Sequence, residues 1–192
     1  MKKLLTYLQH NTYSLVMLIL SFCFYLFFAI YDGPVIAVDS PSYINMSFSR
    51  EPFYPLFLAF FRQFNPEEYL FYVVIFQNLL MAFCGWILAD FLVRKFRLSK
   101  IYGIILYFLP IAVSLMNRFL AKRSSMYTNS ILTEGICTSL YLLFIYLLMS
   151  YIFSPSRKKI LLAWGLMFLM FSSRKQMMMT FPIFAFILFY NA

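Results

Sequence analysis

The chain has 192 residues, of which 63% are hydrophobic and 12% charged, a balance that leaves too little polar surface to coat a water-soluble globule of that size. Its formal charge of +9 does not point to nucleic acid, because the basic residues form short clusters between apolar blocks, where helix ends leave a membrane and meet anionic headgroups. Soluble catalytic motifs are absent too: there is no phosphate-cradling glycine loop and no nucleophile elbow, and the single histidine, His10, precedes the first apolar block.

The apolar blocks do not alternate with polar residues as a barrel strand would; Leu140-Tyr141-Leu142-Leu143-Phe144-Ile145 is continuous. Their lengths approach the ~20 residues that a helix needs to cross a ~30 Å hydrocarbon core. The first run, residues 13–31, follows Lys2 and Lys3 and ends without a small-x-small cleavage site, so it reads as an uncleaved span and not a signal peptide. Further runs cover 69–93, 101–116, 131–153, the short 160–171, and 177–190. The expectation is an all-α polytopic transmembrane bundle of about six spans, forming a single domain over residues 1–192. The last run stops at Asn191-Ala192 with no polar tail, as a chain cut inside or just after a helix would.

Nine cations lie on alternate loops: Lys2, Lys3, Arg94, Lys95, Arg97, Lys100, Arg157, Lys158 and Lys159. That side is expected in the cytoplasm, with the amino terminus, in an inner membrane. The opposite side carries seven: Arg50, Arg62, Arg118, Lys122, Arg123, Arg174 and Lys175. Clustered positive charge on a translocated side calls for a reason, and a bound anion supplies one. The first outer loop, 32–68, holds five acids (Asp32, Asp39, Glu51, Glu67, Glu68) against two arginines. Within it the aromatic segment 52–61 is too short to span and suits a short helix lying along the headgroup boundary.

The cysteines Cys23, Cys84 and Cys137 each sit in an apolar run without Cys or His at metal-ligand spacing, and read as small core residues. Met177, Met178 and Met179 read as packing, and Gly85 with Ala89 could allow close helix contact. Chemistry would therefore have to come from carboxylates and bases at the outer surface.

Three segments carry a family resemblance. Asp39-Ser40-Pro41-Ser42-Tyr43, followed by Arg50-Glu51-Pro52-Phe53-Tyr54-Pro55-Leu56, resembles the first outer loop of GT-C membrane glycosyltransferases, in particular bacterial relatives of the protein O-mannosyltransferases and the lipid A aminoarabinose transferase. Ser130-Ile131-Leu132-Thr133-Glu134 and Ser173-Arg174 match further on, in the same order. The resemblance implies transfer of a sugar from a polyprenyl-phosphate donor to an acceptor outside the cytoplasm, with membrane lipid and the lipid-linked donor as partners. It implies that Asp39 is the base that takes a hydroxyl proton. The competing reading is that Asp39 caps a turn, as Asp-Ser-Pro favours.

Glu134, near the outer end of the fourth run, either belongs to the catalytic site, since a carboxylate facing lipid is costly, or simply opens a helix. Arg174, and the cluster Arg118, Lys122 and Arg123, are expected phosphate contacts, with snorkelling to headgroups as the alternative. Tyr43, Arg50 and Tyr54 support the site or serve, respectively, in packing, an ion pair with an acid such as Glu51, and interface anchoring. Better-known family members place a second acid beside the loop aspartate, where this chain has Ser40. That departure leaves the identity of the base and a divalent metal role open. They also have more spans and an additional outer domain, so the chain reads as an incomplete GT-C module. A non-enzymatic protein, either a lipid-linked-sugar transporter or an assembly subunit, is the rival reading.

Overall fold

A computed structural model describes residues 2–120 and 125–190. It is an all-α bundle of membrane-spanning helices: α1 (Lys2–Asp32), α2 (Ser40–Ile44), α3 (Phe53–Phe64), α4 (Tyr69–Lys95), α5 (Lys100–Leu120), α6 (Thr133–Phe153), α7 (Arg157–Ser173) and α8 (Thr180–Tyr190). Four segments are long and apolar enough to cross a membrane: Thr12–Asp32, Tyr69–Lys95, Lys100–Phe119 and Thr133–Phe153. The fifth and sixth apolar runs are helical but shorter. At 17 and 11 residues, α7 and α8 rise only ~25 and ~16 Å at 1.5 Å per residue. The sixth run is not one helix, because Lys175–Met179 is a 3₁₀ turn.

The central element is α4, packed against α1, α3, α5 and α6. It buries residues over most of its circumference, including Val73, Val74, Gln77, Asn78, Met81 and Cys84, and leaves one face exposed at Tyr72, Phe76 and Phe83, as expected of a helix largely enclosed by others. Small residues set the approach of its neighbours. A Cβ on Gly135 of α6 would lie 3.0 Å from the Gln77 amide, and one on Gly85 would lie 3.1 Å from Pro110 Cγ of α5. The reading of Gly85 as a close-contact position therefore matches its place against α5.

The aromatic segment of the first long loop is helical as expected, and forms α3. Tyr54, Pro55 and Leu58 face inward, whereas Leu56, Phe60 and Phe64 are exposed. Gly33, at φ +62, ends α1 in the left-handed conformation that favours glycine, and its N–H bonds the Ala29 carbonyl at 3.2 Å. The chain then pairs with the segment before α6: Val35 N donates to Asn129 O (2.9 Å), and Ile131 N donates to Val35 O (3.0 Å). This bridge brings the chain leading into the Asp39 motif beside 130–134, the second of the three motif segments.

Beneath the bridge lies a polar core. Gln77 and Asn78 are fully buried, yet their amides are satisfied. Gln77 Nε2 donates to Thr128 O at 2.9 Å, and its Oε1 accepts from Tyr54 OH at 3.0 Å. Asn78 accepts from Thr128 Oγ1 (2.8 Å) and donates to Asn129 Oδ1 (3.0 Å), while Asn129 Nδ2 donates to the carbonyls of Phe28 (2.9 Å) and Gly33 (3.0 Å). In a membrane, buried amides that found no partner would each cost several kcal/mol. Here they fasten the connection before α6 onto α1 and α4.

Candidate functional site

The loop end of the bundle holds a cavity of ≈ 280 Å³, lined by Asp39, Tyr43, Arg50, Glu51, Glu134, Arg174 and Lys175, among others. Three separate stretches of chain supply these side chains, and each is placed by local structure.

Asp39 lies at the head of α2, where its carbonyl accepts from Ser42 N (3.1 Å) and Ser42 Oγ (2.6 Å). Its carboxylate makes no capping bond to the helix. It accepts instead from Arg50 Nη2 at 2.7 Å, and its side chain is 60% exposed. The turn-capping alternative thus holds for the backbone of Asp39 and not for its charge. Arg50 is fixed from three sides: by Asp39, by Ser42 Oγ at 2.7 Å from its Nε, and by the Tyr43 ring, whose centroid lies 4.9 Å from its guanidinium carbon. Bonding to Asp39 holds the guanidinium above its already high pKa. The expected ion pair with a nearby acid is thus present, but its acid is Asp39 and not Glu51, which faces Lys175 at 3.8 Å.

Glu134 stands in the first turn of α6, where a carboxylate meets the positive end of the helix dipole. It also receives Arg174 Nη1 at 2.7 Å, so the helix-opening and cavity readings are both met by one geometry. Arg174 occupies the extended position after α7, with Nε directed to Gln176 Oε1. The cavity thus interleaves three carboxylates with three cations: Asp39 pairs with Arg50 within the first loop, and Glu134–Arg174 and Glu51–Lys175 join separate stretches.

The remaining expected residues lie elsewhere. Tyr43 is buried and packs edge-on against Tyr54 at 5.4 Å, which fits its packing role while one side of it lines the cavity. Tyr54 is fully buried and spends its hydroxyl on Gln77, so interface anchoring is corrected: the aromatic segment turns this residue inward. Burial pushes its hydroxyl pKa up. Arg118 is away from the cavity, ion-paired with Asp32 and set over the Phe28 ring at 4.9 Å. Asp32 also accepts from Met126 N at 3.1 Å, so this pair closes the α1–α5 corner. Lys122 and Arg123 lie outside the described residues. Among the described residues no three His, Cys, Asp or Glu side chains gather as a metal-ligand set.

Sequence reasoning did not single out Gln77, Asn78, Asn129 or Asp90. The signal was present in two of these: consecutive amides, Gln77-Asn78, in a 27-residue apolar helix, where polar groups must find partners. Asp90, near the opposite end of α4, accepts from Ser14 Oγ, from Tyr107 OH at 2.8 Å and from Arg94 Nε at 2.7 Å. That end also carries Lys95, stacked on Phe153 at 4.5 Å, and Lys159, whose Nζ donates to the Ser150 and Ser154 carbonyls at 2.9 Å. The bundle thus has a basic end and, opposite it, the end with the cavity.

The class that fold and geometry define is a helical membrane protein with a charged cavity at one end. No family model, curated protein or solved structure matches the chain.

Proposed function

We propose that the protein is a GT-C-like membrane glycosyltransferase, moving a sugar from a polyprenyl-phosphate donor to an acceptor hydroxyl on the extracytoplasmic side of an inner membrane. The observation that carries this reading is the common cavity of Asp39, Glu134 and Arg174, at the end of the bundle opposite the basic loops. With those loops in the cytoplasm, as the distribution of Lys and Arg favours, the cavity faces outward.

In this mechanism the donor phosphate displaces Glu134 from Arg174, and Lys175 adds a second positive charge. Asp39 accepts the proton of the acceptor hydroxyl as its oxygen bonds to the sugar's anomeric carbon. The bond from that carbon to the phosphate oxygen breaks, and its electron pair leaves with the phosphate, where Arg174 stabilises the added charge. Arg50 holds one carboxylate oxygen of Asp39 at 2.7 Å, and the other is the one that accepts the proton.

One observation favours the rival class. Every carboxylate in the cavity is paired with a cation, as in a site that exchanges anions without chemistry, which suits a lipid-linked-sugar transporter or an assembly subunit. The two readings part in a transfer assay. Membranes carrying the protein are supplied with radiolabelled polyprenyl-phosphate hexoses, and the native chain is compared with Asp39→Asn. Loss of transfer with donor binding retained supports the enzyme. Equal transfer by both removes Asp39 as base, and donor binding without transfer in either moves the assignment to the non-enzymatic class.

A further inference from the structure

The basic end of the bundle has a hollow of its own. It measures ≈ 400 Å³, lies between α4 and α6, and is lined by Ile87, Asp90, Phe91, Arg94, Lys95 and Tyr146. Arg94 and Lys95 are the last two residues of α4, and Phe91 and Ile87 lie about one and two turns deeper along the same helix. Phe91 meets the Tyr146 ring edge-on at 5.5 Å. Charge at the helix end thus gives way to an aromatic and aliphatic wall toward the middle of the span.

The cations at this end differ in whether their donors are spent. Lys159 donates to the Ser150 and Ser154 carbonyls at 2.9 Å and does not line the hollow. Arg94 gives its Nε to Asp90 at 2.7 Å, and its side chain is 45% exposed, with both terminal nitrogens left over. Lys95 sets its ammonium 4.5 Å from the Phe153 ring centroid, a contact that uses the charge and leaves the N–H donors available. Asp90 is filled by Ser14, Tyr107 and Arg94, and its charge offsets one of the two cations. The hollow keeps one net positive charge. The Tyr146 hydroxyl, on a membrane-spanning helix, has no hydrogen bond among the described residues, and in lipid a polar group needs a partner.

We infer that the hollow between α4 and α6 binds the phosphodiester headgroup of an anionic glycerophospholipid from the leaflet that meets the basic end. Arg94 and Lys95 take the phosphate, Tyr146 donates to an ester oxygen deeper in the lipid, and an acyl chain runs past Phe91 and Ile87. Basic hollows between membrane helices are suited to such headgroups, and the single negative charge of a phosphodiester matches the net charge of this one. A zwitterionic lipid would bring its own ammonium against the same cations. A free phosphate would use Arg94 and Lys95 but leave the Tyr146 hydroxyl and the aromatic wall without a partner. The inference is independent of the glycosyl-transfer reading and needs only the membrane bundle.

The test is native mass spectrometry of the full chain in detergent, with equimolar phosphatidylglycerol and phosphatidylcholine as probes. Phosphatidylglycerol is expected to be retained about tenfold over phosphatidylcholine, and equal retention overturns the site. Lys95→Gln should weaken phosphatidylglycerol about fivefold. Tyr146→Phe, which changes no charge, should weaken it to a similar degree through one lost hydrogen bond. Lys158→Gln removes the same charge from the start of α7, outside the hollow, and should stay within about twofold of the native chain. If Lys158→Gln weakens binding as much as Lys95→Gln, the attraction is the general field of the basic end and the site falls. Unchanged binding in Tyr146→Phe removes the hollow as its location. Displacement of phosphatidylglycerol by an equal concentration of inorganic phosphate overturns the lipid commitment. Arg94 is left intact because Asp90 depends on it. Should a variant misfold, photocrosslinking of the native chain with a diazirine-acyl phosphatidylglycerol decides: label concentrated on α4 and α6 around Phe91 and Tyr146 supports the site, and label spread evenly over the helices overturns it.

Discussion

Each end of the bundle holds an aspartate bonded to an arginine, and the two aspartates differ in what else reaches the carboxylate. Asp90 accepts from Ser14, Tyr107 and Arg94, and its side chain is 12% exposed. Asp39 has one side-chain donor among the described residues, Arg50, and its side chain is 60% exposed beside the cavity. A carboxylate surrounded by donors is committed to holding helices together, here α1, α4 and α5. One with lone pairs left over beside an open volume can take a proton or exchange partners. An acid inside an apolar helix is by default a functional candidate, and the full set of donors around Asp90 is what argues against that default.

Substitution at the two aspartates should separate the ends most sharply. Asp39→Asn is expected to lower glycosyl transfer by ~10²–10⁴-fold with the melting temperature in detergent unchanged, because an exposed ion pair contributes only ~0–1 kcal/mol. Asp90→Asn should do the reverse, costing ~2–3 kcal/mol of stability through weakened bonds to Ser14, Tyr107 and Arg94, with transfer per folded molecule retained. A loss of transfer at unchanged stability in Asp90→Asn would break the comparison. Next in size is Gln77→Leu. It leaves the Tyr54 hydroxyl and the Thr128 carbonyl without their amide partner, at ~1–3 kcal/mol for each orphaned buried group. Thermal unfolding in detergent reads this directly, and an unchanged midpoint would mean that the strap before α6 is held without Gln77.

The helices were legible in the sequence because lipid demands a continuous apolar length, and residues 13–31, 69–93 and 131–153 meet that demand on composition alone. The short helix α3 was legible for the opposite reason, its segment being aromatic but too short to span. The break at Lys175–Met179 was hidden by three methionines that look like the start of a helix. In the site, the pair between Asp39 and Arg50 joins residues 11 apart, within reach of one loop, but its identity needed the turn at Ser47 to point Arg50 back past Glu51. Arg118 and Asp32 are 86 residues apart, and only the packing of α1 against α5 decides that this arginine closes a corner instead of facing the cavity. Charge clusters mark which cations share one side of the bundle, and tertiary contacts then decide which of them line the cavity.

Lys175 offers the smallest and most discriminating change. Its ammonium is 3.8 Å from Glu51 and its side chain is 80% exposed, so Lys175→Gln should leave stability within ~0.5 kcal/mol. Its effect belongs to ligand charge. At low ionic strength, removal of a cation from the cavity rim should weaken binding of a polyprenyl phosphate about two- to fivefold, and the difference should shrink toward zero near ~1 M salt, where the screening length falls to ~3 Å. Arg174 is 32% exposed, with Nη1 already oriented by Glu134 at 2.7 Å, and a guanidinium that grips a phosphate with two parallel hydrogen bonds is less sensitive to screening. Binding titrations of Lys175→Gln and Arg174→Gln across salt therefore divide the two roles. Parallel salt curves would mean that both cations act only through the field of the cavity. A large, salt-resistant loss confined to Arg174→Gln identifies it as the direct phosphate contact.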